Sequence, residues 1–126
     1  MHKERLNKIS YDIIGCSIKV HSELGPGLLE STYEICLEKE LIDLGYLVER
    51  QKELPVVYQG VKLDAGYRID LLVENEIVIE LKSVEELAPI HQAQILTYMK
   101  LASKHLGLLI NFNVTQLKKG IKRFIL

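Results

Sequence analysis

The stretch "YRIDLLVENEIVIELKSV", Tyr67 to Val84, decides the fold, because two apolar runs flank the polar segment Glu74-Asn75-Glu76. Runs rich in Val, Ile and Leu that are bounded by such a segment predict two antiparallel strands joined by a three-residue turn. With that turn Val73 pairs with Ile77, and Asp70 lies opposite Glu80. Asn75 tolerates the left-handed backbone conformation that such turns use. The hairpin therefore carries two opposed carboxylates near its open end.

Strand alternation sorts this hairpin into two faces. The apolar face consists of Ile69, Leu71, Val73, Ile77, Ile79 and Leu81, and the charged face carries Arg68, Asp70, Glu80 and Lys82. Opposed carboxylates repel one another, so something must compensate them. One explanation is a four-charge lattice with Arg68 and Lys82 on a solvated surface. The other is a bound divalent cation, for which carboxylate oxygens are natural ligands. The register alone favours the lattice, because most charge clusters are solvated faces.

The rest of the chain predicts three helices and further strands. Ile9, Ile13, Cys16 and Val20 form one stripe of a first helix that ends before Gly25-Pro26-Gly27. A second helix is predicted from Leu28 to Leu44, and a third from Pro89 through Lys104. The second helix has an inward seam of Glu30, Tyr33, Leu37, Leu41 and Leu44. The predicted strands are Tyr46–Gln51, Leu54–Tyr58, Val61–Val73, Ile77–Ser83, Leu106–Asn111 and Ile121–Ile125, with a tight turn at Gln59-Gly60. The order α-α-β-β-β-β-α-β-β predicts one α/β (α+β) domain over residues 1–126 with a mixed sheet.

Composition sets limits on function. The chain of 126 residues has a net charge of −1, so bulk charge does not indicate a nucleic-acid binder. The basic C-terminal segment, Lys118 to Arg123, is more typical of a solvated surface than of a phosphate track. No apolar run reaches the roughly 18 residues of a membrane span. The early positive charge has no apolar signal core behind it, so we expect an intracellular, cytoplasmic protein. Cys16 and Cys36 are interpreted as small buried hydrophobic residues, since neither has partners at zinc-ligand spacing.

Polar groups on two helices add to the charged hairpin. Glu30 lies in the first turn of the second helix, where the helix dipole favours a carboxylate, yet it is in line with apolar residues. Gln94 and Tyr98 are four residues apart on the third helix, as in any amphipathic helix with a buried tyrosine. Each position has an ordinary explanation when it is taken singly. Together they suggest that polar groups converge from the sheet and two helices.

These residues carry a resemblance that covers nearly the whole chain. "GLLESTY", Gly27 to Tyr33, resembles the signature of the GxxExxY protein family. "IDLLVENEIVIELK", Ile69 to Lys82, resembles the core motif of the PD-(D/E)xK nuclease superfamily, with Ile69 in place of the motif's proline. The segment from Gln94 to Tyr98 resembles the QxxxY helix motif of the exonuclease-like branch of that superfamily. The resemblance implies a restriction-endonuclease-like fold, a mixed sheet flanked by helices.

The resemblance also implies a metal centre. Asp70 and Glu80 match the acidic positions of the motif and would hold Mg²⁺ or Mn²⁺, with the backbone carbonyl of Leu81 as a further oxygen ligand. Magnesium keeps several of its waters, so few protein ligands suffice. Glu30 is the candidate outer carboxylate, which would act through water or on a second ion. The cation explanation of the opposed carboxylates is therefore favoured by the resemblance, not by the register.

The remaining polar residues acquire expected roles in the same way. Lys82 matches the motif's lysine and would orient the attacking water or stabilise the phosphate in the transition state. Gln94 and Tyr98 would position the phosphate or the lysine. Arg68 is interpreted as a phosphate contact or a neutralising neighbour.

Two functional hypotheses follow. The first is a metal-dependent nuclease that hydrolyses phosphodiester bonds, with DNA favoured over RNA. The alternative is a catalytically silent nuclease-like fold that serves as a nucleic-acid-binding or protein-interaction module. The presence of Asp70, Glu80 and Lys82 together favours the enzyme. The small size and the mild acidity favour the module, or an enzyme whose specificity comes from a homodimer or a partner protein.

Overall fold

A computed structural model describes residues 2–126. The helices are α1 (His2–Leu24), α2 (Glu30–Asp43) and α3 (Pro89–Ala102), with a 3₁₀ turn at Leu117–Gly120. The strands are β1 (Val48–Glu53), β2 (Val56–Tyr58), β3 (Val61–Leu63), β4 (Arg68–Val73), β5 (Ile77–Lys82), β6 (Leu106–Asn111) and β7 (Ile121–Ile125). No helix among these residues is long and apolar enough to cross a bilayer.

Five of the strands form one mixed sheet in the order β1-β4-β5-β6-β7, while β2 and β3 pair separately as a hairpin. The only parallel neighbours in this described sheet are β5 and β6, and α3 connects them. A parallel pair needs such a crossover, because a short turn cannot return the chain to the starting edge. The result is the predicted fold class, a mixed α+β domain whose sheet is flanked by helices, as in a restriction-endonuclease-like fold.

The register of the central hairpin is as predicted for the three pairs next to the turn, but the ladder ends there, so the predicted strand pairs Asp70–Glu80 and Arg68–Lys82 are not formed. Val73 pairs with Ile77, Leu72 with Val78 and Leu71 with Ile79. The turn uses the left-handed conformation at Asn75 and also at Glu74, with φ of 56° and 53°. The amide of Glu76 closes the turn by donating to the carbonyl of Val73 at 3.0 Å. The turn length thus determines the register of the pairs next to the turn correctly.

Two hydrophobic cores cover the two faces of the sheet. The predicted α1 stripe is buried together with Tyr33, Leu37 and Leu41 of α2 against one face of β4, β5 and β6. On the other face, Ile95 and Met99 of α3 pack against Val78 and Leu109. Gly107 of β6 allows this close approach, because a Cβ atom there would lie 2.6 Å from the Met99 sulfur. All six residues of β6 are buried, as predicted for an interior strand.

The predicted strand Val61–Val73 is wrong as a single element. It is divided into β3, which pairs with β2, and β4, which pairs with β1 and β5. The division lies at Asp64-Ala65-Gly66, where the Gly66 amide donates to the Asp64 carboxylate at 3.0 Å and Gly66 has a φ of 81°. A side-chain turn of this kind reverses the chain locally and ends the strand.

Ile69 does not lie on the predicted face. It packs with Leu54, Leu72 and Val78 on the α3 side, whereas Leu71 packs on the side of α1 and α2. The alternation fails because the ladder between β4 and β5 ends at Leu71–Ile79, and Gln51 on the other neighbour strand has a left-handed φ of 54°. The predicted inward seam of α2 is also too long. Its two terminal residues, Glu30 and Leu44, are exposed.

Candidate functional site

The opposed carboxylates lie where β4 and β5 separate. Asp70 donates its backbone N–H to Oε2 of Glu80 at 2.9 Å, and the Leu81 N–H donates to Oδ2 of Asp70 at 2.8 Å. Two side chains therefore satisfy amides that the strand ladder leaves unpaired. Glu80 is only 3% exposed, while Asp70 is half-buried. Each carboxylate keeps a second oxygen that accepts no backbone hydrogen bond.

Burial dominates the electrostatics of this pair. It raises the pKa of Glu80 from 4.5 to about 8, with the nearby charge of Asp70 adding to the effect. Burial also raises the pKa of Asp70, against the Leu81 amide and the charge of Lys82, which lower it. Both raised pKa values mean that the surrounding positive charges and hydrogen-bond donors do not fully offset the cost of burying two negative charges here. Such a perturbed pair is typical of a functional site, in particular one that holds a cation.

Lys82 faces these carboxylates, whereas Arg68 does not. Lys82 is half-buried at the end of β5, and its charge lowers the pKa of both acids. Its ammonium group forms no ion pair within residues 2–126. Arg68 instead donates to the carbonyl of Tyr67 at 2.9 Å and lies 3.7 Å from Asp64. The four-charge lattice is therefore not formed, because Arg68 interacts with Asp64 in the turn after β3 and not with Asp70 or Glu80.

The start of α2 is tied to the residue that follows Lys82. Oε2 of Glu30 accepts a hydrogen bond from the Ser83 N–H at 3.2 Å, and the Ser83 hydroxyl donates to the Leu28 carbonyl at 2.7 Å. The charge of Glu30 is among the causes that raise the pKa of Asp70. Glu30 thus belongs to the site although it is exposed.

Tyr33 explains the spacing of the "GLLESTY" segment. Its hydroxyl donates to the Gly25 carbonyl at 2.5 Å and accepts from the Leu28 N–H at 3.1 Å. Its ring is stacked on Phe112, with 4.4 Å between the ring centroids. Gly27 has a φ of 99°, which disfavours any residue with a side chain. Tyr33 therefore holds the loop that presents Glu30.

Two members of the site are not found by sequence reasoning. Glu34 is buried, and burial is the first cause of its raised pKa. Gln51 donates through Nε2 to Oε1 of Glu34 at 2.6 Å and to Oδ1 of Asp70 at 3.3 Å. The one available signal for Glu34 is its place four residues after Glu30 on the same helix. No local signal identifies Gln51, because only the pairing of β1 with β4 brings it opposite Asp70.

Gln94 and Tyr98, which the sequence analysis names as positioning residues, lie together on α3. Gln94 Nε2 donates to the Tyr98 hydroxyl at 3.0 Å. Burial raises the pKa of Tyr98, and the charges of Glu80 and Asp70 add to that rise. The tyrosine hydroxyl therefore lies within the electrostatic field of the carboxylate pair. Among the residues predicted for the site, Arg68 is the one that lies away from the carboxylates, beside Asp64.

The oxygen atoms of Asp70 and Glu80 are suitable ligands for a hard divalent cation. The Lys82 carbonyl accepts from Phe112 on the β6 side, so the amide and carbonyl of Leu81 lie on the opposite edge, toward Asp70. One carboxylate oxygen from Asp70, one from Glu80 and the Leu81 carbonyl are hard ligands of the type that Mg²⁺ prefers. Among residues 2–126 no group of three or more His, Cys, Asp or Glu side chains is positioned to hold a metal ion. A magnesium ion that retains several waters does not require such a group.

Comparison with models of protein families relates the chain to a known superfamily. A family model described as the PD-(D/E)XK nuclease superfamily matches residues 7–124, which include most of α1 and all of α2, the central hairpin and α3. No curated protein and no solved structure matches significantly. The matched range contains the carboxylate cluster, which consists of Glu30, Glu34, Asp70 and Glu80. It also contains four of the five sheet strands in full and all of β7 except Ile125. The chain therefore belongs to the PD-(D/E)XK nuclease superfamily.

Proposed function

We propose that this protein is a cytoplasmic, divalent-metal-dependent nuclease that hydrolyses phosphodiester bonds, with DNA favoured over RNA. The observation that carries the proposal is the Asp70–Glu80 pair at the end of β5, with raised pKa values and Lys82 beside it. Membership of a nuclease superfamily supports the same chemistry. The resemblance of "GLLESTY" to the GxxExxY signature suggests the narrower family.

The proposed cofactor is Mg²⁺ or Mn²⁺, held by Asp70, Glu80 and the Leu81 carbonyl. When bound there, the ion supplies Lewis acidity and neutralises charge that develops on the phosphate. Glu80 must lose its proton to act as a ligand, and the positive charge of Lys82 assists that loss. Glu30 holds the Ser83 amide through one oxygen and keeps its other oxygen for an outer water.

The other side chains bind and orient the substrate. Lys82 carries a positive charge with no ion-pair partner among residues 2–126, so it is available to a phosphate oxygen or to the attacking water. Tyr98, oriented by Gln94, presents its hydroxyl toward the same place. Arg68 lies outside this cluster and is proposed as an outer phosphate contact that leaves Asp64 when nucleic acid binds.

Calorimetry with Mg²⁺ and Mn²⁺ tests the metal centre. Wild type and a Glu85→Gln, Glu86→Gln control are expected to bind the ion equally, because both exposed acids lie outside the carboxylate cluster. The Asp70→Asn, Glu80→Gln double variant replaces two carboxyl groups by amides in the same way and is expected to lose the binding. Cleavage of single- and double-stranded DNA and RNA is then compared with and without the ion. Absence of ion binding by wild type would contradict the proposal.

The alternative is a binding module without turnover, with specificity or assembly contributed by a homodimer or another protein. One observation favours it: with a pKa of about 8, Glu80 is neutral near pH 7 in the absence of an ion, which leaves Lys82 free to bind a backbone phosphate. The same experiments separate the two functions. Nucleic-acid binding that persists in EDTA, together with no cleavage in Mg²⁺ or Mn²⁺, would favour the module.

A further inference from the structure

A groove lies beside the carboxylate cluster, between α3 and the residues just before β4. Its volume is about 430 Å³, within the usual range for sites that bind small organic groups. Gln94 and Tyr98 line it and also belong to the candidate site. The groove is therefore continuous with the place where the phosphate is expected.

The walls of this groove combine exposed apolar surface with unused hydrogen-bonding groups. Ile90 is 70% exposed and Tyr67 is 46% exposed, and both side chains line the groove. The side-chain carbonyl of Gln94 and the hydroxyl proton of Tyr98 form no hydrogen bond within the part of the chain that the structure describes. A flat apolar group with polar atoms at its edge matches this lining.

Tyr67 is held in a fixed orientation. Its ring contacts the ring of Tyr98 edge-on, with 5.9 Å between centroids and an interplanar angle of 62°. Its carbonyl accepts from the Leu54 N–H at 3.0 Å. The half-exposed ring is thus anchored at the edge and through the backbone. A preoriented aromatic ring of this kind is the element on which single-stranded nucleic acids stack their bases.

Tyr67 lies close to the place where the reacting phosphate is expected. Tyr67 lies three positions before Asp70 in the chain, a distance of about 10 Å in an extended strand. About three stacked nucleotides of one strand span that length. A base bound beside Tyr67 therefore belongs to a nucleotide close to the phosphate at Asp70 and Glu80.

We propose that this groove binds an unpaired nucleobase of the substrate strand, stacked on Tyr67 and hydrogen-bonded at its edge by Gln94. The proposal rests on the proposed function and deepens it, because it names the substrate class. In a duplex the faces of each base are covered by its neighbours, so the groove selects single-stranded nucleic acid or a base extruded from the helix. Base stacking is tolerant of sequence, and binding here is expected to show little base preference.

Oligonucleotide binding to the full-length chain tests this assignment. The affinity for a labelled oligothymidylate and for a hairpin duplex is measured by fluorescence anisotropy in EDTA, which separates binding from cleavage. Tyr67→Ala is expected to weaken binding of the single strand about tenfold, from the loss of one stacked base, and to leave duplex binding unchanged. Tyr67→Phe is expected to bind as wild type. Tyr11→Ala is the matched control, because Tyr11 is 77% exposed on α1 and far from the groove in sequence and fold.

A second measurement does not depend on whether Tyr67→Ala folds. The chain has no tryptophan, so Tyr67→Trp introduces a single indole fluorophore at the groove. Stacking of a base on that indole is expected to quench its fluorescence when oligothymidylate is added. Unchanged fluorescence at saturating oligonucleotide would overturn the proposal, as would an equal loss of single-strand affinity in Tyr67→Ala and Tyr11→Ala.

The experiments distinguish an error in the base-binding proposal from an error in the nuclease proposal. Stacking at position 67 without cleavage in Mg²⁺ or Mn²⁺ supports the groove and contradicts the nuclease. Metal-dependent cleavage that Tyr67→Ala leaves unchanged supports the nuclease and contradicts the groove. Self-association of wild type in sedimentation that Tyr67→Ala abolishes, without any effect on oligonucleotide binding, assigns the surface to a protein contact and overturns the proposal.

Discussion

Asp70 and Glu80 are joined by a 2.9 Å hydrogen bond from the backbone N–H of one residue to the carboxylate of the other. The ladder between their strands ends one pair earlier, at Leu71 and Ile79. The carboxylates are therefore part of the backbone framework and not appendages of a completed sheet. A substitution at either position affects both the charge of the site and the separation of the strands.

The pH dependence of stability follows from Glu80. Burial raises its pKa from 4.5 to about 8 in the folded chain. Between these values the folded chain holds a proton that the unfolded chain has lost, so the stability that this proton provides is present below about pH 4.5 and is lost as the pH rises to about 8. Glu80→Gln mimics the neutral acid and lacks this loss. The free energy of unfolding of the variant, relative to that of wild type, is therefore expected to rise by about 1.4 kcal/mol per pH unit in this window.

Urea denaturation in metal-free buffer across this pH window measures the effect. Glu53→Gln is the control, because Glu53 is an exposed carboxylate on β1, the edge strand of the same sheet. Wild type and Glu53→Gln are expected to lose stability in parallel. Parallel curves for wild type and Glu80→Gln would instead show that Glu80 ionises as an ordinary acid.

Lys82→Ala distinguishes a catalytic role of the lysine from a role in folding stability. The ammonium group makes no ion pair among residues 2–126, so its removal is expected to change the free energy of unfolding by less than about 1 kcal/mol. Metal-dependent cleavage is expected to fall by about 100-fold or more, since a charge at the phosphate is lost. Cleavage assays and denaturation are compared with Lys3→Ala, an exposed lysine on α1. Unfolding of Lys82→Ala at moderate temperature would assign the lysine a structural role.

Gln51 is expected to stabilise the fold by bridging Glu34 and Asp70. Gln51→Ala leaves the buried carboxylate of Glu34 without its closest donor, which is expected to cost about 1–3 kcal/mol in the free energy of unfolding at neutral pH. Gln59 provides a matched control, because it is also exposed and has a left-handed φ, 50° against 54° for Gln51, but lies in the β2–β3 turn and does not bond Glu34 or Asp70. Gln59→Ala carries the same backbone penalty without the hydrogen bonds. Equal losses in the two variants would mean that backbone conformation alone is responsible.

Tyr33→Phe tests how Glu30 is held in place. The variant keeps the stacking on Phe112 and removes the two hydrogen bonds to the loop, so a loss of about 1–3 kcal/mol in the free energy of unfolding is expected. Hydrogen exchange of the Leu28 amide is expected to become faster, because its acceptor is gone. Tyr11→Phe on the exposed face of α1 is the control. Protection of Leu28 that stays at the wild-type level would rule out this anchoring role.

Local patterns in the sequence were sufficient for several features. The apolar stripe of α1, the β4–β5 register and the start of α3 at Pro89 depend on neighbours in the chain, on turn length and on backbone restrictions. The same patterns failed where a local irregularity interrupts them. The Asp64-Ala65-Gly66 turn divides a predicted strand, and the left-handed Gln51 accompanies the change of face at Ile69.

By itself the sequence determined the fold class, the place of Asp70 and Glu80 on adjacent strands and the presence of Lys82 on the same segment. Only the tertiary structure decided which polar residues share that place. Glu34 and Gln51 belong to it, whereas Arg68 lies beside Asp64 instead. The tertiary structure also raised the pKa of Glu80 to about 8. The physical reason is that burial and strand separation depend on residues far apart in the chain, whereas alternation and turn geometry depend on adjacent ones.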